Sequence, residues 1–145
     1  MARLKAGFLN MMADKAFVVS ERHFGTLLGA EDGREVDLVR LTFGEIPRGP
    51  VVAAHIESHY RSPSAVDPRN LDVLVIRGAN VSDPLLRRQV FWEPLCRLFN
   101  WAANADLPVL CSCLATHAVL EARHGERRRS LVPKVWGVFS HRAVV

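Results

Sequence analysis

Cysteine is scarce: Cys96, Cys111 and Cys113 are the only three, an odd number without framework spacing. That argues against a disulfide-stapled secreted scaffold and fits a reduced cytosol. Long apolar runs are missing too, and none is long enough to span a membrane. The apolar patch at residues 8–12 is interrupted by Asn10 and followed at once by Asp14 and Lys15, a poor signal peptide. No internal repeat, low-complexity segment or domain boundary is visible, so residues 1–145 read as a single domain.

Charge of one sign is in modest surplus, a net +4. Its densest piece is Arg123-His-Gly-Glu-Arg-Arg-Arg129. No aromatic residues interleave with those arginines to stack on bases, so a solvated loop after a helix is favoured over a nucleic-acid surface. A bound phosphate on an acyl-carrier cofactor would use the same charges.

What is present is apolar sequence arranged in alternating elements. The apolar share is 49%, so disorder is not the default, and the length suffices to bury a core. Residues 4–9 read as a first strand, leading to a loop over residues 10–15. Ser20 is a candidate N-cap for a helix through Leu27 and Leu28 that ends at Gly29. Residues 35–41 alternate as a strand with one less buried face, and Pro47-Arg-Gly-Pro50 is a turn. Residues 51–60 read as a short helix and 61–70 as a loop. Residues 71–76 form the clearest strand and run into the tight loop Arg77-Gly-Ala-Asn80. Residues 84–103 read as one long amphipathic helix with Val90, Phe91, Leu95, Leu98 and Trp101 on its apolar side, and Cys96 as packing. Residues 131–141 read as a loop and a further strand. Strands alternating with helices predict an α/β fold with a doubly wound, mostly parallel sheet.

The chain is organised around residues 107–125. An apolar run at residues 107–111 predicts a buried strand. Leu114, Ala118 and Val119 then recur at helical spacing up to Gly125. Cys113 sits at the turn between them, where open α/β sheets place their sites. A helix N-terminus there favours the thiolate, and small Ala115 lets the backbone turn sharply, as in a nucleophile elbow. Two plainer readings compete. Cys113 can be a small buried hydrophobe. Cys111, Cys113 and His117 can begin a metal site, although no second Cys/His pair follows to complete four ligands, so no metal is expected.

These residues carry a family resemblance. The chain resembles the amino-terminal half of homoserine O-acyltransferases of the homoserine O-succinyltransferase type, whose fold is similar to class I glutamine amidotransferases. Gly7-Phe-Leu-Asn-Met-Met-Ala-Asp-Lys15 resembles the family's Leu-Asn-Leu-Met-Pro-x-Lys loop. Residues 71–80 resemble its strand ending Thr-Gly-Ala-Pro, and Phe91-Trp-Glu93 its Tyr-Trp pair. Cys113-Leu-Ala-Thr-His-Ala-Val-Leu120 resembles its Cys-Trp-Ala-x-Gln-Ala-Ala-Leu elbow, and Gly137-Val-Phe-Ser-His141 its Gly-Val-Tyr-Glu-His strand. Ala13, Arg77, Asn80, Leu114 and His117 depart from the pattern. The family's Gly-His-Pro-Glu motif, with its catalytic histidine and glutamate, does not occur in these 145 residues.

The resemblance implies a flavodoxin-like three-layer sandwich, here incomplete. It implies acyl-CoA-dependent O-acylation of homoserine in methionine biosynthesis, through an acyl-cysteine on Cys113. Succinyl-CoA or acetyl-CoA is the implied co-substrate, with no permanently bound cofactor. Backbone N–H groups of Leu114, Gly78, Ala79 and Asn80 are the expected oxyanion donors. Lys15 matches a functional lysine and would bring positive charge, where the plainer reading is a solvated loop lysine. Ser82 stands where the family tunes its acyl pocket. Glu21 matches a family glutamate near the site, or simply answers a helix dipole. His55 and His141 match family histidines without an evident role, and His117 is a weak candidate base. The implied setting is cytoplasmic, with small-molecule substrates, no nucleic acid and no membrane, and it admits a homodimer. An amidotransferase-like hydrolase and a catalytically inactive binding or structural remnant remain as rivals.

Overall fold

The computed structural model describes residues 3–29 and 36–144. Its elements are β1 (Leu4–Asn10), α1 (Asp14–Leu27), β2 (Val36–Leu41), α2 (Pro50–His59), β3 (Val73–Arg77), α3 (Trp92–Asn104), β4 (Val109–Ser112) and α4 (Leu114–His124). The strands form one parallel sheet in the order β2-β1-β3-β4. The chain steps outward from β1 to β2, then crosses back to β3 on the other side of β1. The carboxyl ends of β1 and β3 therefore flank a topological switch point, the usual place for a site in such sheets. Asn10 pairs in register with Arg77, and Arg77 with Ser112. Three strands thus end level, and the turns that follow them share one edge.

Side-chain alternation along the strands gives each face its own cover. Phe8 turns toward α1 and stacks on Phe24, ring centroids 5.1 Å apart. Leu9, Leu41, Leu74 and Ile76 turn the other way and join Leu95, Leu98 and Phe99 of α3 and Leu114, Ala115 and Ala118 of α4 in one core. The result is a three-layer α/β arrangement with the sheet open at both edges.

Several sequence expectations change. The first helix begins at Asp14, not after Ser20: Ala13 is its N-cap residue and offers no side-chain cap. Ser20 is buried inside the helix, where its hydroxyl accepts from Arg77 Nε at 3.3 Å. Glu35, expected to open the second strand, lies outside the described residues. The long helix over residues 84–103 starts only at Trp92. Residues Leu86–Arg88 form a separate 3-10 turn, and Gln89 is extended. Pro94 is the physical reason. It is tolerated in a first helical turn, whereas a helix begun at residue 84 would set its ring against the carbonyl of Val90.

The strand before Cys113 is an edge strand rather than a buried one, and Leu110 is 57% exposed. The strand expected near residues 137–141 is not formed. Among the described residues, 126–144 hold no strand or helix, and Trp136, Val138 and Phe139 face outward. No described helix is long and apolar enough to cross a membrane.

Candidate active site

Cys113 joins β4 directly to α4 as the helix N-cap residue, with φ 60° and ψ −127°. A side chain in that backbone region costs of order 1–3 kcal/mol and persists only where the surroundings impose it. Here they do. The Cys113 carbonyl accepts from the Thr116 N–H at 3.0 Å, and the Thr116 hydroxyl donates to the Cys111 carbonyl at 3.2 Å. The first turn of α4 is thereby pinned to the strand it follows. Cys113 is exposed, while Leu114 and Ala115 beneath it are buried. The strand-to-helix expectation holds, and the buried-hydrophobe reading of this cysteine does not.

Gly78, next to the elbow at the end of β3, makes the turn possible. A Cβ there would lie 2.6 Å from the Ala115 nitrogen and 2.7 Å from that of Leu114. Only a residue without a side chain lets the two strand-end turns approach so closely. The expectation that Gly78 offers its N–H to an oxyanion is corrected: that group donates to the Ser112 carbonyl at 3.1 Å, tying β3 to β4. Among the described residues, the N–H groups of Ala79, Asn80 and Leu114 meet no acceptor.

The other expected residues are spread along the same edge. Lys15 is exposed and sits in the first turn of α1, not in a loop. Its strand, β1, is separated from β4 by β3, so the two strand ends are roughly 10 Å apart. Ser82 is exposed in the segment after β3. His117 is exposed on α4, and among the described residues no hydrogen bond joins it to Cys113. His141 is exposed beyond α4. Among the described residues, no group of three or more His, Cys, Asp or Glu side chains is placed to hold a metal ion.

The homoserine O-succinyltransferase family model matches residues 1–145. The chain belongs to the homoserine O-succinyltransferase family. A homoserine O-succinyltransferase of Thioalkalivibrio nitratireducens is 45% identical over 142 residues, covering 97% of this chain and 40% of the relative. That of Allochromatium vinosum is 46% identical over the same shares, and that of Nitrosococcus oceani 42% identical over 139 residues. The chain thus spans about two fifths of the length of these curated relatives.

Within this homoserine O-succinyltransferase region, the Glu21 expectation is revised. Glu21 lies not at the elbow but at the opposite side of the sheet, between α1, β2 and α2. Its carboxylate accepts from Arg40 Nε at 2.7 Å and from the Tyr60 hydroxyl at 3.1 Å, and lies 2.7 Å from His55 Nε2. Burial pushes its pKa up, but these hydrogen bonds and the Arg40 charge outweigh burial and hold it below the usual carboxylate value. Burial pushes the Tyr60 phenol well up.

Asn10, the last residue of β1, extends the network and was visible in sequence only as part of a loop. Fully buried, it donates to the Phe17 carbonyl at 3.0 Å and to Tyr60 at 3.2 Å, and accepts from the Met12 N–H at 3.1 Å. Arg48 was missed entirely. Its guanidinium lies over the Phe17 ring at 4.5 Å and donates to the Met12 carbonyl and to Asp14. Asp14 in turn accepts from the Gly49 N–H at 2.7 Å, and its carboxyl is held below the ordinary value by that bond and by Arg48. These contacts fix the turn that carries Lys15.

Proposed function

We propose that this chain supplies the nucleophile of an acyl-CoA-dependent O-acylation of homoserine, the succinyl- or acetyl-transferring step of methionine biosynthesis in the cytoplasm. The observation that carries the reading is the exposed Cys113 held at positive φ between β4 and α4. The Cys113 thiolate attacks the thioester carbonyl, a new C–S bond forms, and the CoA thiolate leaves and takes up a proton. The homoserine hydroxyl then attacks the acyl-cysteine. A C–O ester bond forms, the Cys113 sulfur is released, and the hydroxyl proton passes to a base.

Donors aimed at the developing oxyanion lower both barriers. The unsatisfied N–H groups of Leu114 and Ala79 support that role, and the exposed Lys15 ammonium supports a role in attracting the anionic donor. Ser82 is read as a residue that tunes the acyl pocket. No base is engaged with Cys113 among the described residues, and lack of a general base typically costs about 10²–10⁴ in rate. Mass spectrometry of the chain with succinyl-CoA or acetyl-CoA, followed by homoserine, tests both steps. The expected result is one acyl group on Cys113 with negligible multiple turnover. Robust turnover that survives Cys113→Ala refutes the mechanism, and turnover abolished by His117→Ala makes that histidine the base.

A further inference from the structure

Two of the arginines after Gly125, Arg127 and Arg128, fold back onto the protein instead of hanging free as a solvated loop. Arg128 folds back onto the segment that carries Ser82, donating to the carbonyl of Asp83 and, at 3.1 Å, to that of Pro84. Arg88 pairs with the Asp83 carboxylate at 3.9 Å. One helical face further in, Glu121 of α4 is almost fully buried, with 4% of its side chain exposed, and faces two arginines. Arg87 Nε lies 2.8 Å and Arg127 Nε 3.8 Å from the same Glu121 oxygen.

Glu121 orients Arg87 and Arg127, and Asp83 orients Arg88, without covering them: each arginine keeps more than half of its side-chain surface exposed. With Arg123, which shares the surroundings of Cys96 with Arg87, Glu93 and Glu121, five arginines gather around three carboxylates, Asp83, Glu93 and Glu121. The surplus is positive, and guanidinium forks suit phosphate oxygens.

The segment from Gly78 to Arg88 connects this cluster to the nucleophile. It begins against Leu114 and Ala115 at the start of α4, passes Ser82, and reaches Glu121 two turns later. The 11 residues of α4 span about 16 Å. The arm of coenzyme A between thioester and phosphates is comparable to four extended residues, about 14 Å. With the thioester at Cys113, an arm of that length reaches the far end of α4.

We propose that Arg87, Arg88 and Arg127 form the subsite for the nucleotide phosphates of the acyl donor, with Glu121 and the Asp83 and Pro84 carbonyls positioning the cluster. This rests on the acyl-CoA reading of Cys113, and the test separates the two. Acylation of Cys113 is measured by mass spectrometry with succinyl-CoA and with succinyl-pantetheine, which lacks the nucleotide. Wild type is compared with the double variant Arg88→Glu/Arg127→Glu and the milder Arg88→Gln/Arg127→Gln. Binding of adenosine 3′,5′-bisphosphate is measured in parallel.

The preference for succinyl-CoA over succinyl-pantetheine should fall about tenfold or more in the charge-reversed chain, and by less in the milder one. Nucleotide binding should weaken with it and with added salt. An unchanged preference overturns the subsite and leaves Cys113 standing. If neither ester acylates wild type, the Cys113 reading fails, and nucleotide binding alone decides the subsite. Binding lost in the variants then upholds it, and binding absent from wild type or indifferent to the variants overturns it.

Discussion

The two sides of the sheet are built on opposite terms. Around β1, β2, α1 and α2, polar groups are buried or half-buried and joined to one another: Asn10, Glu21, Arg40, His55 and Tyr60 form a continuous network across four elements. Around β4 and α4, the Cys113 thiol is exposed, the backbone is strained, and apolar side chains such as Leu110 and Leu120 face outward. One side spends its interactions on holding a fixed frame. The other side presents the Cys113 thiol and an open edge. A buried network of satisfied hydrogen bonds is costly to disturb, because every lost partner leaves another group unpaired in a poorly solvated place. A strained turn is instead sensitive to whatever holds it in place.

The sharpest way to break the contrast is to weaken the frame. Asn10→Ala leaves the Met12 N–H and the Phe17 carbonyl without their partner and removes a donor from Tyr60, so it should cost about 3 kcal/mol. Denaturant unfolding monitored by circular dichroism measures it. A loss below the scatter of surface substitutions would mean that the network does not support this side. Next comes Gly78→Val, which pushes a side chain into the backbone of Leu114 and Ala115. Displacing the elbow by an ångström should slow Cys113 acylation by about 10². Acylation at the wild-type rate would remove the close approach from the account.

Acid tests the frame more gently. Glu21 titrates below its ordinary value of 4.5 in the folded chain, so it adds stability above that pH. That contribution fades as pH falls through the folded value. Glu21→Gln should flatten the loss of stability between about pH 5 and pH 3. Thermal unfolding across that range measures the slope, and identical slopes in both chains would exclude Glu21 as a source. The smallest perturbation is chemical labelling. Cys96 and Cys111 are half-buried, and burial pushes both thiols up, with the Glu93 charge adding to it at Cys96. Iodoacetamide near neutral pH should therefore modify Cys113 first, as peptide mapping would report. Faster labelling of Cys96 or Cys111 would contradict the placement.

Local signals made the elbow side legible in the sequence. The apolar run of β4, the strong helix formers of α4 and the stop at Gly125, which is in the left-handed conformation, all act within a few residues of one another. Cys113 at the junction followed from those boundaries. The frame was not legible, because Asn10, Glu21, Arg40, His55 and Tyr60 meet only after the sheet has assembled, with up to 50 residues between partners. Ser20 looked like a cap because its residue type favours that position. Tertiary contact with Arg77 gave it a different place. Pro94 carried the true start of α3 but was outweighed by the apolar periodicity on either side of it. The segment at residues 131–141 has strand-like composition, yet composition alone does not supply a neighbour to pair with.

The central claim is that Cys113 is the acyl acceptor, and one measurement reaches it directly. The chain is incubated with succinyl-CoA, digested without reducing agent, and the acyl group is located by tandem mass spectrometry. A succinyl adduct on Cys113, absent after Cys113→Ser and discharged from the sulfur by hydroxylamine, is the predicted result. A thioester adduct on Cys96 or Cys111, or acylation undiminished by Cys113→Ser, would contradict it.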